Sequence, residues 1–270
     1  MKIDQRSALI IGGGSGIGAA IAAALVSRGA HVALVGRRET LLEATARTLR
    51  AQGGMAVALP ADITIAEERA RIVERAHTAL GPLDIVVHCA GTMRGGPLNA
   101  LDNDAIEKGL ALNLVAPLDL TRRLLNEIRR RQGAVVFVAS LSALMPLPYA
   151  ALYSASKTGL RALAESLRHE LEPAGARVLL AFPPGTATAM TEPFAARSPF
   201  ARPPFYQLLP PAAVGERIVV ALERGQRDLF WPGAETALAR VYPWLPWLIH
   251  PLLRAQRILL AKVFSSEPYL

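Results

Sequence analysis

Residues 11–18 read Ile11-Gly12-Gly13-Gly14-Ser15-Gly16-Ile17-Gly18. The apolar run Ser7–Ile11 that leads into them predicts a buried strand, and the pattern from Gly16 to Arg28 predicts a helix. Glycines at such a junction permit a tight turn, and the first turn of the helix offers unpaired N–H groups and a partial positive charge. A pyrophosphate needs both features. The stretch therefore predicts a dinucleotide site, although glycines also serve as plain turn residues.

The rest of the chain repeats this alternation of short apolar runs and longer helical segments. Strands that alternate with helices indicate βαβ units, right-handed crossovers and a parallel sheet covered on both faces. We therefore expect an α/β fold, a Rossmann-like doubly wound sheet of about seven strands with ligands at their carboxyl ends. One domain is expected over residues 1–235, followed by an apolar C-terminal extension over 236–270. The remaining predicted strands are His31–Val35, Met55–Leu59, Asp84–Cys89, Ala134–Ser140, Arg177–Phe182 and Asp228–Trp231, and further predicted helices are Ala66–Ala79, Ala105–Arg130 and Ser154–Leu171.

The 270-residue chain is basic, with a net charge of +8, and it contains one cysteine, Cys89. A single cysteine excludes an intramolecular disulfide and suits a reducing compartment. The first apolar run is too short for the core of a secretory signal, so we expect a cytoplasmic protein. The arginines are scattered rather than gathered in a block, which argues against a nucleic-acid partner. The excess charge is equally explained by an ordinary cationic surface.

Four polar residues in the second half of the predicted sheet fit one catalytic pattern. Tyr153 and Lys157 are four residues apart, so they share one face of a predicted helix. Ser140 ends a predicted strand at the carboxyl edge of the sheet, and Asn113 lies in the long predicted helix that follows the fourth strand. The set resembles the Asn…Ser…Tyr-x3-Lys tetrad of the short-chain dehydrogenase/reductase family, and the glycine turn resembles that family's Gly-x3-Gly-x-Gly turn. Ile11 stands where the family usually has a threonine, whose hydroxyl would tie the turn.

The resemblance implies a role for each member of the tetrad in hydride addition to a ketone. Tyr153 would protonate the developing alkoxide, with its pKa lowered by Lys157 and by an oxidised nicotinamide. Ser140 would donate a hydrogen bond to the substrate oxygen, as oxyanion-hole donors do. Asn113 resembles the residue that holds a water in a proton relay, and Lys157 also resembles the lysine that binds the nicotinamide ribose.

The second predicted strand ends Val35-Gly36-Arg37-Arg38. Members of the family that prefer NAD usually place an acid at this strand end, where Gly36 stands here. Arginine matches a 2′-phosphate by charge and by its planar fork of donors, so NADP(H) is favoured over NAD(H), against the alternative of ordinary surface arginines. No metal is expected. The residues expected to bind the cofactor are Gly12, Ser15, Gly16, Ile17, Gly18, Arg37, Arg38, Asp62, Ile63, Ala90, Gly91, Tyr153, Lys157, Pro183, Thr186 and Thr188.

Three short runs resemble the 3-ketodihydrosphingosine reductases within this family. They are Cys89-Ala90-Gly91, Val136-Phe137-Val138 and Pro183-Pro184-Gly185-Thr186-Ala187-Thr188, although Gly185 and Ala187 replace two acids of that subgroup. We take Cys89 as a buried structural thiol rather than a nucleophile. The resemblance implies NADPH-dependent reduction of a ketone on a lipophilic, long-chain 3-oxo substrate. The alternatives are an oxidoreductase of 3-oxoacyl thioesters or steroid-like alcohols, and a nucleotide-sensing protein without turnover.

Two segments break the alternation of strands and helices. Residues 194–211 carry several prolines interleaved with aromatic residues, and a long irregular stretch of this kind suits a substrate lid. Residues 241–264 are strongly apolar but too broken by proline for a clear membrane span. Tryptophans beside basic residues suit peripheral contact with the inner face of a membrane, while packing in a subunit interface or across the substrate pocket fits equally well. The family resemblance implies a homodimer or homotetramer.

Overall fold

A single parallel sheet organises the chain in a computed structural model that describes residues 1–191 and 208–264. Within that part of the chain the sheet has seven strands in the order β3-β2-β1-β4-β5-β6-β7, which confirms the predicted doubly wound fold. Strand β1 pairs with β2 on one side and β4 on the other, so the order reverses there and opens a crevice at the carboxyl ends. The strands are β1 Ser7–Ile11, β2 His31–Gly36, β3 Ala56–Pro60, β4 Ile85–His88, β5 Ala134–Val138, β6 Arg177–Phe182 and β7 Asp228–Phe230.

Helices cover both faces of the sheet, as near-continuous apolar strands require. The helices are α1 Gly16–Val26, α2 Glu39–Ala51, α3 Ala66–Leu80, α4 Asn103–Leu110, α5 Ala116–Arg130, α6 Ala151–Leu171, α7 Pro211–Glu223, α8 Ala234–Val241 and α9 Pro246–Phe264. One apolar cluster joins the sheet to α1, α2 and α7, and the other joins it to α3, α5 and α6. The two layers leave the carboxyl edge of the central strands open to a ligand.

The segment predicted as one helix over Ala105–Arg130 is in fact two helices with a π-helical turn between them. The turn spans Ala111–Val115 and closes with a bond from the Ala116 N–H to the Ala111 carbonyl. Pro117 has no N–H, so the α-helical hydrogen bond to the Asn113 carbonyl cannot form. A π-helical turn inside a helix frequently marks a functional position, and here it contains Asn113.

The C-terminal extension begins inside the folded domain rather than after it. Helix α8 starts at Ala234, and its buried Ala239 packs in the same cluster as Leu141 and Ala143. Helix α9 follows, with Ile249 only 2 % exposed. Within the described residues no helix is both long and apolar enough to cross a membrane.

The predicted lid at 194–211 falls mostly outside the described residues, which resume at 208. The described residues on either side of the gap are held together, because Thr186 and Leu209 form a parallel bridge. The Leu209 N–H donates to the Gly185 carbonyl at 2.9 Å, and the Ala187 N–H donates to the Leu209 carbonyl at 2.9 Å. The chain that leaves after β6 therefore returns to the same place before α7 begins.

Candidate active site

The glycine turn lies at the reversal of strand order and fits closely against the loop after β4. Gly12 has a φ of +89°, and a β-carbon there would lie 2.6 Å from the Ala90 nitrogen. Only glycine allows both the left-handed backbone and this close approach. The N–H groups of Gly12 and Gly13 donate to the Val35 carbonyl at 2.8 and 3.2 Å, and the Thr45 hydroxyl donates to the Gly14 carbonyl at 3.2 Å. These bonds tie the turn without the hydroxyl that Ile11 lacks.

The carboxyl ends of β2 and β3 place cations beside this turn. The Arg38 guanidinium donates to the Ser15 hydroxyl at 3.1 Å, and the Arg37 guanidinium lies 4.0 Å from the Asp62 carboxylate. Burial opposes ionisation of Asp62, but two hydrogen bonds from Thr64 and the charge of Arg37 bring its pKa below the ordinary value. We call the glycine turn together with these strand ends the cradle, and its helix N-terminus and cations suit the phosphates of a dinucleotide.

Tyr153 and Lys157 lie one turn apart on α6, and both are buried. The Lys157 ammonium is 5.8 Å from the centre of the Tyr153 ring and donates to the Val138 carbonyl at 2.9 Å. Ser140 lies two residues beyond the end of β5, where it caps a short 3-10 turn, Leu141–Ala143, by accepting from the Ser142 N–H at 3.2 Å. The Ser140 side chain also hydrogen-bonds Tyr153. The structure therefore brings three of the predicted catalytic residues together.

Asn113 joins the same group through a network that fixes the loop after β4 to helix α6. Its side-chain oxygen accepts from the Thr92 N–H at 2.9 Å, and its amide donates to the Thr92 carbonyl at 2.9 Å and to the Ser156 hydroxyl at 3.0 Å. Ser156 in turn donates to the Tyr153 carbonyl at 2.8 Å. The Asn113 side chain thus uses both of its donors within the protein, and Pro117 deprives the Asn113 main-chain carbonyl of an α-helical partner.

Sequence reasoning missed Ser156, which is fully buried and links Asn113 to Tyr153. The sequence does show a serine directly before Lys157, but the spacing of four residues from Tyr153 to Lys157 gives that serine no predicted role. Thr92 was missed for a different reason, since its contribution is made by main-chain atoms that any residue carries.

Burial is the largest influence on the pKa values of Tyr153, Lys157 and Cys89. Burial raises the pKa of Tyr153, and the hydrogen bond with Ser140 offsets this only in part. The expectation that Lys157 lowers the pKa of Tyr153 is therefore not met in the protein alone. Burial also lowers the pKa of Lys157 to about 8 and raises the pKa of Cys89 to about 12. A thiol with so high a pKa stays protonated, which agrees with a structural Cys89.

A cleft of about 310 Å³ opens over Tyr153 and Asn113 and reaches the arginine end of the cradle. Its lining combines apolar side chains with three cations, among which Arg94 is half-buried and has no ion-pair partner in the described residues. The lining residues are Arg37, Asp62, Thr64, Thr92, Arg94, Ala105, Lys108, Gly109, Leu112, Asn113, Leu152 and Tyr153.

The segment after β6 closes the other side of the cradle. A β-carbon at Gly16 would lie 3.0 Å from the Thr188 methyl carbon, and one at Gly91 would lie 3.9 Å from the end of Met190. Thr186 is buried, and its hydroxyl donates to the Pro184 carbonyl at 3.0 Å. The predicted positions after β6 therefore face those on the glycine turn and after β4. Across the described residues no cluster of His, Cys, Asp or Glu could hold a metal ion.

The sequence matches a model of a known protein family. The family model described as short chain dehydrogenase matches residues 6–198, which contain the glycine turn, the arginine pair and all four tetrad positions.

Similar proteins agree with this family. A short chain dehydrogenase of Pseudocercospora fijiensis is 39 % identical over 177 residues, which are 64 % of this chain and 57 % of that protein. The 3-dehydrosphinganine reductase of Danio rerio is 31 % identical over 194 residues, 70 % of this chain and 58 % of that protein. The chain thus spans little more than half the length of these two relatives. An alcohol dehydrogenase structure from Thermococcus sibiricus shares the fold, with a TM-score of 0.76 at 23 % identity over 86 % of this chain and 98 % of that one.

Proposed function

Because the chain belongs to the short-chain dehydrogenase family, we propose that it is an NAD(P)-dependent oxidoreductase that reduces a ketone to a secondary alcohol. The observation that carries this proposal is the grouping of a buried Tyr153 with Lys157 and Ser140 at the carboxyl edge of the sheet, where Tyr153 lines a cleft. A buried phenol beside an ammonium and a hydroxyl is suited to proton transfer to a carbonyl oxygen.

The proposed mechanism gives each residue one task. The glycine turn and the segment after β6 would hold a nicotinamide dinucleotide, which would supply the hydride. Tyr153 is protonated because burial raises its pKa, so it can donate its proton to the oxygen as negative charge develops. Ser140, hydrogen-bonded to Tyr153, donates to the same oxygen. Lys157 stabilises the phenolate that remains, and Asn113 positions α6 through Ser156.

The proposed cofactor preference is NADP(H). Arg37 and Arg38 follow Gly36 at the end of β2, where no acid is present to bind ribose hydroxyls. Arg38 already contacts Ser15 of the glycine turn, so its guanidinium lies where the ribose-phosphate end of a dinucleotide would be held. Charge-assisted bonds from two arginines favour a 2′-phosphate over a hydroxyl.

The proposed substrate is a lipophilic, long-chain 3-oxo compound similar to 3-ketodihydrosphingosine. Leu112 and Leu152 line the cleft beside Tyr153. The similarity to the 3-dehydrosphinganine reductase of Danio rerio supports the same class. Residues 194–211 are the proposed lid over this substrate. A cytoplasmic location and a homodimer or homotetramer stay predictions.

One observation favours a second candidate, the reduction of a 3-oxoacyl thioester with a phosphate-bearing carrier. Arg94 lies in the wall of the cleft without an ion-pair partner in the part of the chain that the structure describes. A half-buried cation there would attract an anionic carrier and repel the ammonium group of an amino-ketone.

The two candidates are separated by measuring NADPH oxidation with 3-ketodihydrosphingosine, long-chain and short-chain 3-oxoacyl thioesters, and cyclic ketones. We expect the highest kcat/KM with a long-chain 3-oxo substrate. Tyr153→Phe should lower turnover by about 10²- to 10⁴-fold, while Tyr242→Phe, a control at a tyrosine that does not line the cleft, should not. Preference for the thioesters, reduced by Arg94→Gln, would support the second candidate. Activity confined to small soluble ketones would refute the lipophilic class.

A further inference from the structure

A group of large apolar side chains stands exposed where the C-terminal helices leave the domain. Trp244 is 83 % exposed, Trp247 is 68 % exposed, and Leu245, Leu248 and Leu252 are also exposed. We call these five residues the tail surface. Single exposed apolar residues are ordinary, but two tryptophans and three leucines within nine positions form a contiguous patch of the kind that marks an interaction site.

The tail surface continues along one side of α9. At 100° per residue, Trp247, Leu248 and Leu252 lie within an arc of about 140° of the helix. Ile249 lies beyond that arc and is 2 % exposed, so the opposite side of the helix is the buried one. The apolar arc therefore lies on the exposed side of the helix, and none of its residues is among those that line the cleft.

One border of this arc is basic. His250, Arg254 and Arg257 are exposed and fall within about 60° of one another on α9, next to Trp247. The chain has no aspartate or glutamate between Glu235 and Glu267. An apolar face edged with arginine and tryptophan, and free of acids, complements a surface that is apolar inside and anionic outside.

We propose that the tail surface binds peripherally to an anionic lipid bilayer. A second copy of this chain is the less suitable occupant, since copies meeting through this face would bring the arginines of both into proximity without acidic partners. A bilayer that contains acidic lipids satisfies the apolar arc and the arginines at the same time. The helix then lies in the plane of the interface and does not cross it.

The binding surface is connected to the catalytic region through α8. This helix packs against the turn Leu141–Ala143, which Ser140 caps. The Arg240 guanidinium lies 5.1 Å from the centre of the Phe230 ring at the end of β7, and the Tyr242 ring packs edge-on against His250 at 5.9 Å. These contacts fix α8, and with it the start of the tail surface, beside the turn that Ser140 caps.

The test is sedimentation of the full chain with vesicles of equal parts phosphatidylcholine and phosphatidylglycerol, and with vesicles of phosphatidylcholine alone. We expect binding to the anionic vesicles and at least roughly tenfold weaker binding to the neutral ones. The variant Trp247→Glu/Leu248→Glu should lose binding to both, whereas Met55→Glu, an exposed apolar residue at the other end of the sheet, should bind like the parent. No substrate is present, so the outcome is independent of the proposed reaction.

A second pair of variants separates charge from apolar contact. Arg254→Gln/Arg257→Gln should weaken binding to anionic vesicles by roughly 25-fold, because each arginine near such a surface contributes about fivefold. Arg47→Gln/Arg129→Gln, which removes two exposed arginines from α2 and α5, should change it little. Light scattering gives the oligomeric state of every variant, and circular dichroism shows that each is folded. Absence of vesicle binding by the parent chain overturns the proposal, as does a folded Trp247→Glu/Leu248→Glu variant that still binds but has a smaller oligomer.

Discussion

Gly36 ends β2 and precedes the arginine pair, so an aspartate at this position tests the proposed site for a 2′-phosphate. The backbone of Gly36 is not left-handed, and a β-carbon there would meet only the Leu42 side chain, at 3.6 and 4.0 Å. These are ordinary van der Waals distances. Gly36→Asp should therefore fold normally, and its effect on cofactor binding should come from charge.

The size of that effect follows from the exposure of the arginines. A new carboxylate would repel the phosphate and also attract Arg37 and Arg38 away from it. Two unit charges about 5 Å apart interact by roughly 3 kcal/mol at an effective dielectric constant near 20, and by less than about 1 kcal/mol in bulk water. The Arg37 side chain is 70 % exposed, which places the interaction toward the weaker end. We expect a loss of about 1–2 kcal/mol, or roughly a tenfold rise in the Kd for NADPH.

The assay is the Kd of each cofactor, measured by the fluorescence of NADPH and NADH, together with kcat/KM for both. NADH should bind as well as before or better, because the introduced carboxylate can accept bonds from ribose hydroxyls. Gly36→Ala is the matched control, since it adds the β-carbon without the charge, and it should leave the preference unchanged. An unchanged NADPH Kd in a folded Gly36→Asp protein would refute the position assigned to the phosphate. If Gly36→Ala weakened the binding of both cofactors equally, the argument that a β-carbon is tolerated at this position would be refuted.

Three further predictions concern the proposed catalytic group. Tyr153→Phe should lower kcat by about 10²- to 10⁴-fold with the Kd for NADPH unchanged, as stopped-flow and fluorescence would show, and retained turnover would contradict the assigned proton donor. Ser156→Ala removes the link between Asn113 and the Tyr153 carbonyl, so kcat should fall while KM stays constant, and the free energy of unfolding should drop by about 1–3 kcal/mol; Ser154→Ala is its neighbour control. Burial lowers the pKa of Lys157 to about 8, so the protein holds this ammonium below that pH and loses it above. The kcat profile should decline above pH about 8, and Lys157→Arg, which stays charged, should lack that limb; a limb unchanged in Lys157→Arg would assign the titration to another group.

Much of this site follows from periodicity alone. A spacing of four residues places Tyr153 and Lys157 on one helix face in any α-helix, and an alternating pattern of strands and helices brings strand ends to one edge. The apolar pattern predicts Ser140 as the last residue of β5, and it lies two residues beyond that strand. The error does not move the residue from the carboxyl edge, since the chain is still extended there. Predictions of this kind tolerate small errors in the boundaries of elements.

Other features depend on contacts that a pattern of apolar residues does not contain. The π-helical turn at Ala111–Val115 leaves the apolar periodicity almost unchanged, so one continuous helix is the natural prediction. Pro117 is the local sign of a break, but a proline in the first turn of a helix is also common, and only the structure distinguishes the two cases. Likewise, the apolar composition of the tail is compatible with either a buried or an exposed surface. The structure distinguishes the two, because Ile249 is buried and Trp247 is exposed.

The electrostatics of the cleft bear on the direction in which the proposed reaction runs most easily. Burial stabilises the neutral form of both central groups, so it raises the pKa of Tyr153 and lowers the pKa of Lys157 to about 8. Reduction of a ketone starts from the neutral phenol, which is the form that the protein already holds. Oxidation of an alcohol starts from the phenolate, which burial disfavours and which needs the positive charge of Lys157 and of an oxidised nicotinamide to form. Without a cofactor, the folded chain therefore holds Tyr153 in the form that donates a proton.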